Sequence, residues 1–131
     1  MWRCFIHLSE LFLMTTLVLG ASENPSRYAN KAVRLLRAHK HEVFAIGRES
    51  GYIDEVEIQT VFPQNVEVDT VTLYLNPTHQ KDFYQRIIHL KPRRIIFNPG
   101  TENDEFEKLA QQQGIQTEEA CTLVLLNTNQ Y

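Results

Sequence analysis

The sequence predicts an α/β fold, a doubly wound and mainly parallel sheet between two layers of helix, and three observations carry that prediction. From residue 16 onward, short apolar runs alternate with amphipathic stretches of helical period. The first run, residues 16–21, is apolar on both faces, as a parallel strand covered by helices on each side must be. Asn-Pro follows three of the runs, at Asn24-Pro25, Asn76-Pro77 and Asn98-Pro99. Asn caps helices and Pro fits a first helical turn, so each dipeptide reads as the end of a strand and the start of a crossover. Parallel strands would place all three turns on one edge of the sheet, the edge where open α/β sheets bind ligands.

The elements follow in order. Residues 16–21 form a buried strand closed by the small residues Gly20, Ala21 and Ser22. Residues 25–39 place Tyr28, Ala32, Leu35 and Leu36 at helical spacing, with Arg27, Lys31 and Arg34 on another face, and so predict a helix packed on the sheet. Residues 42–47 supply a second strand, and Val56–Gln59 a short third one set in a polar loop that contains Gly51. Residues 69–75 read as a stronger strand, followed by a helix over 78–90 with Phe83, Ile87 and Leu90 inward. Lys91-Pro92 ends that helix. Residues 94–98 are the next strand, 103–113 a helix stopped by Gly114, and 115–118 the last strand. Residues 121–126 fit a short helix or a further strand, because a short apolar run does not settle its own period. Strands that alternate with helices in this way imply right-handed crossovers.

Composition bounds the function. A chain of 131 residues, 43% hydrophobic and 22% charged, suffices for one substantial core and is short for two. A formal net charge of −3 gives no electrostatic reason to expect nucleic acid or an anionic membrane as partner. Cys4 and Cys121 stand at opposite ends and form neither a disulfide framework nor a metal spacing, so a reducing, cytoplasmic setting is the simpler expectation.

The first twenty residues superficially resemble a secretory signal. Glu10 and His7 interrupt the apolar stretch, however, and cleavage near Ala21 would remove the first strand. The stretch also falls short of the roughly twenty apolar residues of a membrane span. Residues 1–13 are therefore expected to be an extension outside the fold, with 14–131 as a single domain.

The first turn runs Gly20-Ala21-Ser22-Glu23-Asn24-Pro25-Ser26-Arg27-Tyr28. A dinucleotide fingerprint would put G-x-G-x-x-G here, whereas Ser22 takes the place of the second glycine and Pro25 that of the third. Backbone N–H groups can still bind phosphate at such a turn, and a plain strand-to-helix connection fits equally well. The second strand ends in Gly47-Arg48, where an NAD site carries an acidic residue for the ribose. Arg48 suits a phosphorylated ribose, as in NADP or coenzyme A, although Glu49 follows it and a lone arginine also serves as a solvated strand end.

Taken as an ordered set, Leu17-Val18-Leu19-Gly20-Ala21-Ser22, Asn24-Pro25, Tyr28, Ile46-Gly47-Arg48, Leu73-Tyr74-Leu75-Asn76-Pro77 and Phe97-Asn98-Pro99-Gly100-Thr101-Glu102 resemble the stand-alone CoA-binding domain family. That family is similar to the N-terminal domain of the succinyl-CoA synthetase alpha subunit. The resemblance covers residues 14–131 and implies a Rossmann-like domain that holds the nucleotide end of coenzyme A. By position it implies that Gly20, Ala21, Ser22 and Asn24 form the loop at the diphosphate, with Arg27 placed to reach it. It sets Gly47 and Arg48 beside the adenosine and its 3′-phosphate. Tyr74, Leu75, Asn76 and Pro77 would border the adenine or the pantetheine entrance, and Asn98, Pro99 and Gly100 the far side. The synthetase carries its phosphorylated histidine on a second domain outside the resemblance, so binding is implied and ligase chemistry is not.

The remaining reactive residues favour structural roles. His79 and His89 share one predicted helix but lack the i, i+4 spacing of a ligand pair, and His7, His39 and His41 form no metal motif. Glu118 and Glu119 precede Cys121, and negative charge raises a thiol pKa. Glu102, Asp104, Glu105 and Glu107 suit the positive end of a helix. No catalytic residue or metal ligand is assigned. The expected function is a non-catalytic CoA or acyl-CoA binding module, against an NADP-dependent oxidoreductase or a protein-interaction domain that binds no nucleotide.

Overall fold

The computed structural model describes residues 14–131. The extension expected over residues 1–13 lies outside them. The chain forms β1 (Thr16–Leu19), α1 (Tyr28–Ala38), β2 (Val43–Ile46), β3 (Gly51–Ile53), β4 (Val56–Gln59), β5 (Thr70–Leu73) and α2 (Pro77–Gln80). A 3-10 turn (Lys81–Phe83) leads into α3 (Tyr84–Leu90), β6 (Arg94–Phe97), α4 (Asp104–Gln112), β7 (Gln116–Glu119) and α5 (Thr122–Asn127). The seven strands form one sheet in the order β3-β4-β2-β1-β5-β6-β7, parallel throughout except where β3 runs antiparallel to β4.

Alternation along β1 explains the three layers. Leu17 and Leu19 point into a cluster with Val71, Leu73, Ile87, Phe97, Phe106 and Ala110, which belongs to the face covered by α3 and α4. Val18 points the other way, to Ala29, Val33, Leu36 and Leu126 of α1 and α5. All three β1 side chains are at most 1% exposed, and each is worth about 1.5–3 kcal/mol of burial. Phe106 adds shape to its cluster, edge-on to Phe97 and stacked on Tyr84. The Rossmann-like α/β/α architecture is therefore set by strands buried on both faces.

Three local expectations are settled or revised. Gly51 belongs to strand β3 and not to a polar loop. The helix over 78–90 is divided, because buried Gln80 donates from Nε2 to the carbonyls of Leu75 and Thr101, at 2.8 Å each. Those bonds pin the first turn to the sheet edge, and the chain tightens through Lys81–Phe83 before α3 directs Ile87 into the core. Residues 121–126, open to either reading, lie mostly in helix α5.

The three Asn-Pro pairs also diverge. Asn76 caps α2 as expected, accepting from His79 N–H with Pro77 as the first helical residue. Asn24 instead folds a turn of its own, accepting from the backbone and hydroxyl of Ser26, and α1 starts later, after Arg27. Asn98 is buried: Nδ2 donates to Thr72 Oγ1 and Leu73 O, and Oδ1 accepts from Thr122 N–H. The helix after it, α4, is capped by Asn103. Among the described residues, no helix is long and apolar enough to cross a membrane.

Candidate functional site

From β1 the chain passes outward through β2 to the edge strand β3, turns back into β4 beside β2, then crosses to β5 on the opposite side of β1 and winds the other way. The carboxyl ends of β1 and β5 therefore part, leaving a crevice at the switch point. A cleft of about 810 Å³ occupies it. Gly20, Ala21, Ser22, Arg27, Arg48, Tyr74, Leu75, Asn76, Pro99 and Gly100 all line that cleft. Four of the expected site residues do not. Asn24, Pro77 and Asn98 hold the turns described above, and Gly47 packs beneath the first loop.

Two glycines fix that loop. Gly20 adopts φ +103°, a left-handed conformation that disfavours any side chain, and its N–H and that of Ala21 both donate to Ile46 O. A Cβ on Gly47 would stand 2.4 Å from Ala21 O, so only glycine lets strand β2 and the loop approach this closely. Asn30 completes the support, donating from Nδ2 to Ser22 O at 2.9 Å from a fully buried position on α1. The signal for Asn30 was present in the sequence as an amide on the apolar stripe of a helix, between Ala29 and Val33.

Electrostatics at the cleft favour an anion. The N-terminus of α1 faces it through Arg27, Tyr28 and Ala29, and the first-turn amides have no intrahelical acceptors. Arg27 makes no side-chain cap, and the first turn contains no acidic residue, so no carboxylate of the helix itself opposes its positive end. Arg27 and Arg48 are exposed, and among the described residues neither has a carboxylate within salt-bridge distance, whereas Arg34, Arg37, Arg93 and Arg94 do. Glu23, Glu49 and His79 also line the cleft, and none of the three was assigned to a site from the sequence.

Reactive groups are less developed there. Burial pushes the Tyr74 phenol far above its ordinary pKa, and among the described residues its buried hydroxyl meets no hydrogen-bond partner of good geometry. Cys121, half-buried at the start of α5, does not line the cleft. Asp104, Glu107 and Glu119 bring carboxylates within 4.8 Å of one another, the sole such grouping of possible metal ligands among the described residues. Burial and Glu119 push Glu107 up to about 7, and none of the three lines the cleft.

Residues 14–127 match the family model described as CoA binding domain. The chain belongs to that family. No curated protein matches this CoA-binding domain. Among solved structures it is similar to an uncharacterized protein, at 43% identity over 91% of this chain and 98% of the other, with a TM-score of 0.87. The CoA-binding domain also shares its fold with cell-free ID.343 from Thermus thermophilus, at 23% identity over 99% of this chain and 98% of that one, TM-score 0.79. A further likeness of fold is to the dinucleotide-forming acetyl-coenzyme A synthetase 1 of Ca. Korarchaeum cryptofilum, at 18% identity and TM-score 0.67. That match takes in 86% of this chain and 27% of the synthetase.

Proposed function

We propose that this domain binds CoA, or an acyl-CoA, by its nucleotide end and carries out no chemical step itself. The observation that carries the reading is one cleft that combines an uncapped helix N-terminus with two arginines that form no ion pair among the described residues, in a chain of the CoA-binding family. The Gly20–Ser22 loop and Arg27 receive the diphosphate, and Arg48 receives the 3′-phosphate. Each charge-assisted hydrogen bond of this kind is worth about 1.5–3 kcal/mol. Tyr74, Leu75 and Asn76 border the adenine or pantetheine, and Pro99 and Gly100 form the far wall. Asn24, Gly47, Pro77 and Asn98 act by shaping those walls. A cleft of about 810 Å³ lies in the range of small-molecule sites. The buried Tyr74 phenol, and a cleft lining that does not include Cys121, support binding without catalysis.

NADP is the second reading, because Arg48 could equally meet a 2′-phosphate; Ser22 and Pro25 in place of two fingerprint glycines weigh against it. We also read residues 1–13 as an extension to the domain, and a cytoplasmic setting as the one that suits the free Cys121 thiol. Calorimetry with CoA, dephospho-CoA, NADP and NAD tests the ligand. CoA should bind about tenfold more tightly than dephospho-CoA, and Arg48→Ala should abolish that difference. Equal affinity for the two in the unaltered protein, or tighter binding of NADP, would overturn the assignment.

A further inference from the structure

Glu23 is out of place in a phosphate cleft. It belongs to the first loop and lines the cleft, yet carries the same sign of charge as the proposed ligand. Its carboxylate is held away from the first loop: Oε2 accepts from the backbone N–H of Tyr52, at 2.9 Å. Tyr52 sits in β3, the outer strand of the sheet, whose outward-facing backbone donors have no neighbouring strand to bond. Gly51 makes room for the contact, since a Cβ there would come within 2.3 Å of Glu23 Cδ and 2.5 Å of Oε2. The segment between Gly47 and Gly51 is the turn that contains Arg48, Glu49 and Ser50.

That turn is therefore gripped by the first loop at both ends. Gly47 lies against Ala21 O at one end, and Tyr52 is tied to Glu23 at the other. The two grips differ in what they support. The first loop is also anchored by the bonds of Gly20 and Ala21 to Ile46, and of Asn30 to Ser22, none of which involves Glu23. Losing the Glu23 contact would thus loosen the Arg48 turn while leaving the diphosphate loop in place.

We propose that Glu23 is a positioning residue that latches the Arg48 turn to the phosphate loop and so sets the preference of the cleft for a nucleotide phosphorylated on its ribose. The inference rests on the CoA reading of the cleft, and its chemistry makes opposite demands on two substitutions. Glu23→Ala removes the latch. Glu23→Gln keeps a carbonyl oxygen for Tyr52 N–H and removes a negative charge beside the ligand phosphates. Gly51→Ala displaces an intact Glu23.

Amide hydrogen exchange on the free protein reads the latch without any ligand. Protection at Tyr52 should fall in Glu23→Ala and in Gly51→Ala and persist in Glu23→Gln. Titrations with CoA and dephospho-CoA then read its consequence. The ratio of the two affinities should shrink about fivefold in Glu23→Ala and Gly51→Ala, and should be kept or enlarged in Glu23→Gln. A ratio unmoved by Glu23→Ala overturns the latch while leaving the CoA site standing, as does unchanged Tyr52 protection. Failure of the unaltered protein to bind CoA overturns the reading on which the specificity role depends, and the exchange result then decides the latch alone.

Discussion

At the start of β6, Arg94 is buried, bonded to Thr70 and Glu118, with its guanidinium 4.6 Å from the ring centre of Tyr131. At the end of β2, Arg48 is exposed, and among the described residues it has no carboxylate partner. The contrast extends along both edges of the sheet. The amino edge is closed by its own partners: Arg93 clasps Asp69 through two hydrogen bonds, and Tyr131 packs on His41. The carboxyl edge keeps two cations and a helix N-terminus unspent. One residue type thus serves the fold where its charge is matched internally and serves a ligand where it is not.

The comparison can be broken first at Arg94. Arg94→Ala removes the partner of a partly buried Glu118, and the cost should be about 3 kcal/mol of unfolding free energy, read from urea denaturation, with no change in CoA affinity. A loss of CoA binding in a folded Arg94→Ala protein would show that the two edges are coupled. Gly47→Ala tests the other edge. The added Cβ must push against a backbone carbonyl, so stability should fall by about 2 kcal/mol and CoA affinity by about tenfold together. Arg48→Ala should instead change affinity without moving the urea midpoint.

The smallest expected effect is on pH dependence at the amino edge. Burial, then the neighbouring charges of His39 and Arg94, lower the pKa of His41. Its unfolded pKa is about 6.5, so the unfolded chain takes up the proton first as pH falls, and stability declines below that value until the folded pKa is passed. Above it both states are neutral and the effect vanishes. Urea midpoints between pH 7.5 and 5.5 should show the decline in the unaltered protein and a flatter profile in His41→Gln.

How much of this was legible depended on whether a residue's role is local. Leu17, Val18 and Leu19, like Ile95 and Ile96, belong to two-faced apolar runs that end at turn signals and alternate with helical stretches, so the layers could be read from that pattern. Strand β3 could not, because Gly51, Tyr52 and Ile53 are too few to establish a period and exist as a strand only through pairing with β4. Asn24, Asn76 and Asn98 precede proline alike, but Asn24 and Asn76 bond near neighbours, Ser26 and His79, whereas Asn98 bonds Thr72 and Thr122 of distant segments. The loops that meet at the cleft were foreseeable from strand order. That Gly47 works by closeness to Ala21, and that Glu23 reaches Tyr52, depends on a sheet register no local pattern contains.

The placement of β1 has a consequence for how the protein is made. It is the first of the described strands to leave a ribosome, yet it lies between β2 and β5, with Thr16 paired to both Val43 and Thr70. Until Leu73 has emerged, one side of an apolar strand has nothing to bond. A nascent chain stopped after β4 therefore presents sticky, half-satisfied backbone, and the domain must condense late, around a strand synthesised early. Pairings this distant in the chain make folding slower than that of a helical bundle, with a window in which a chaperone has something to hold.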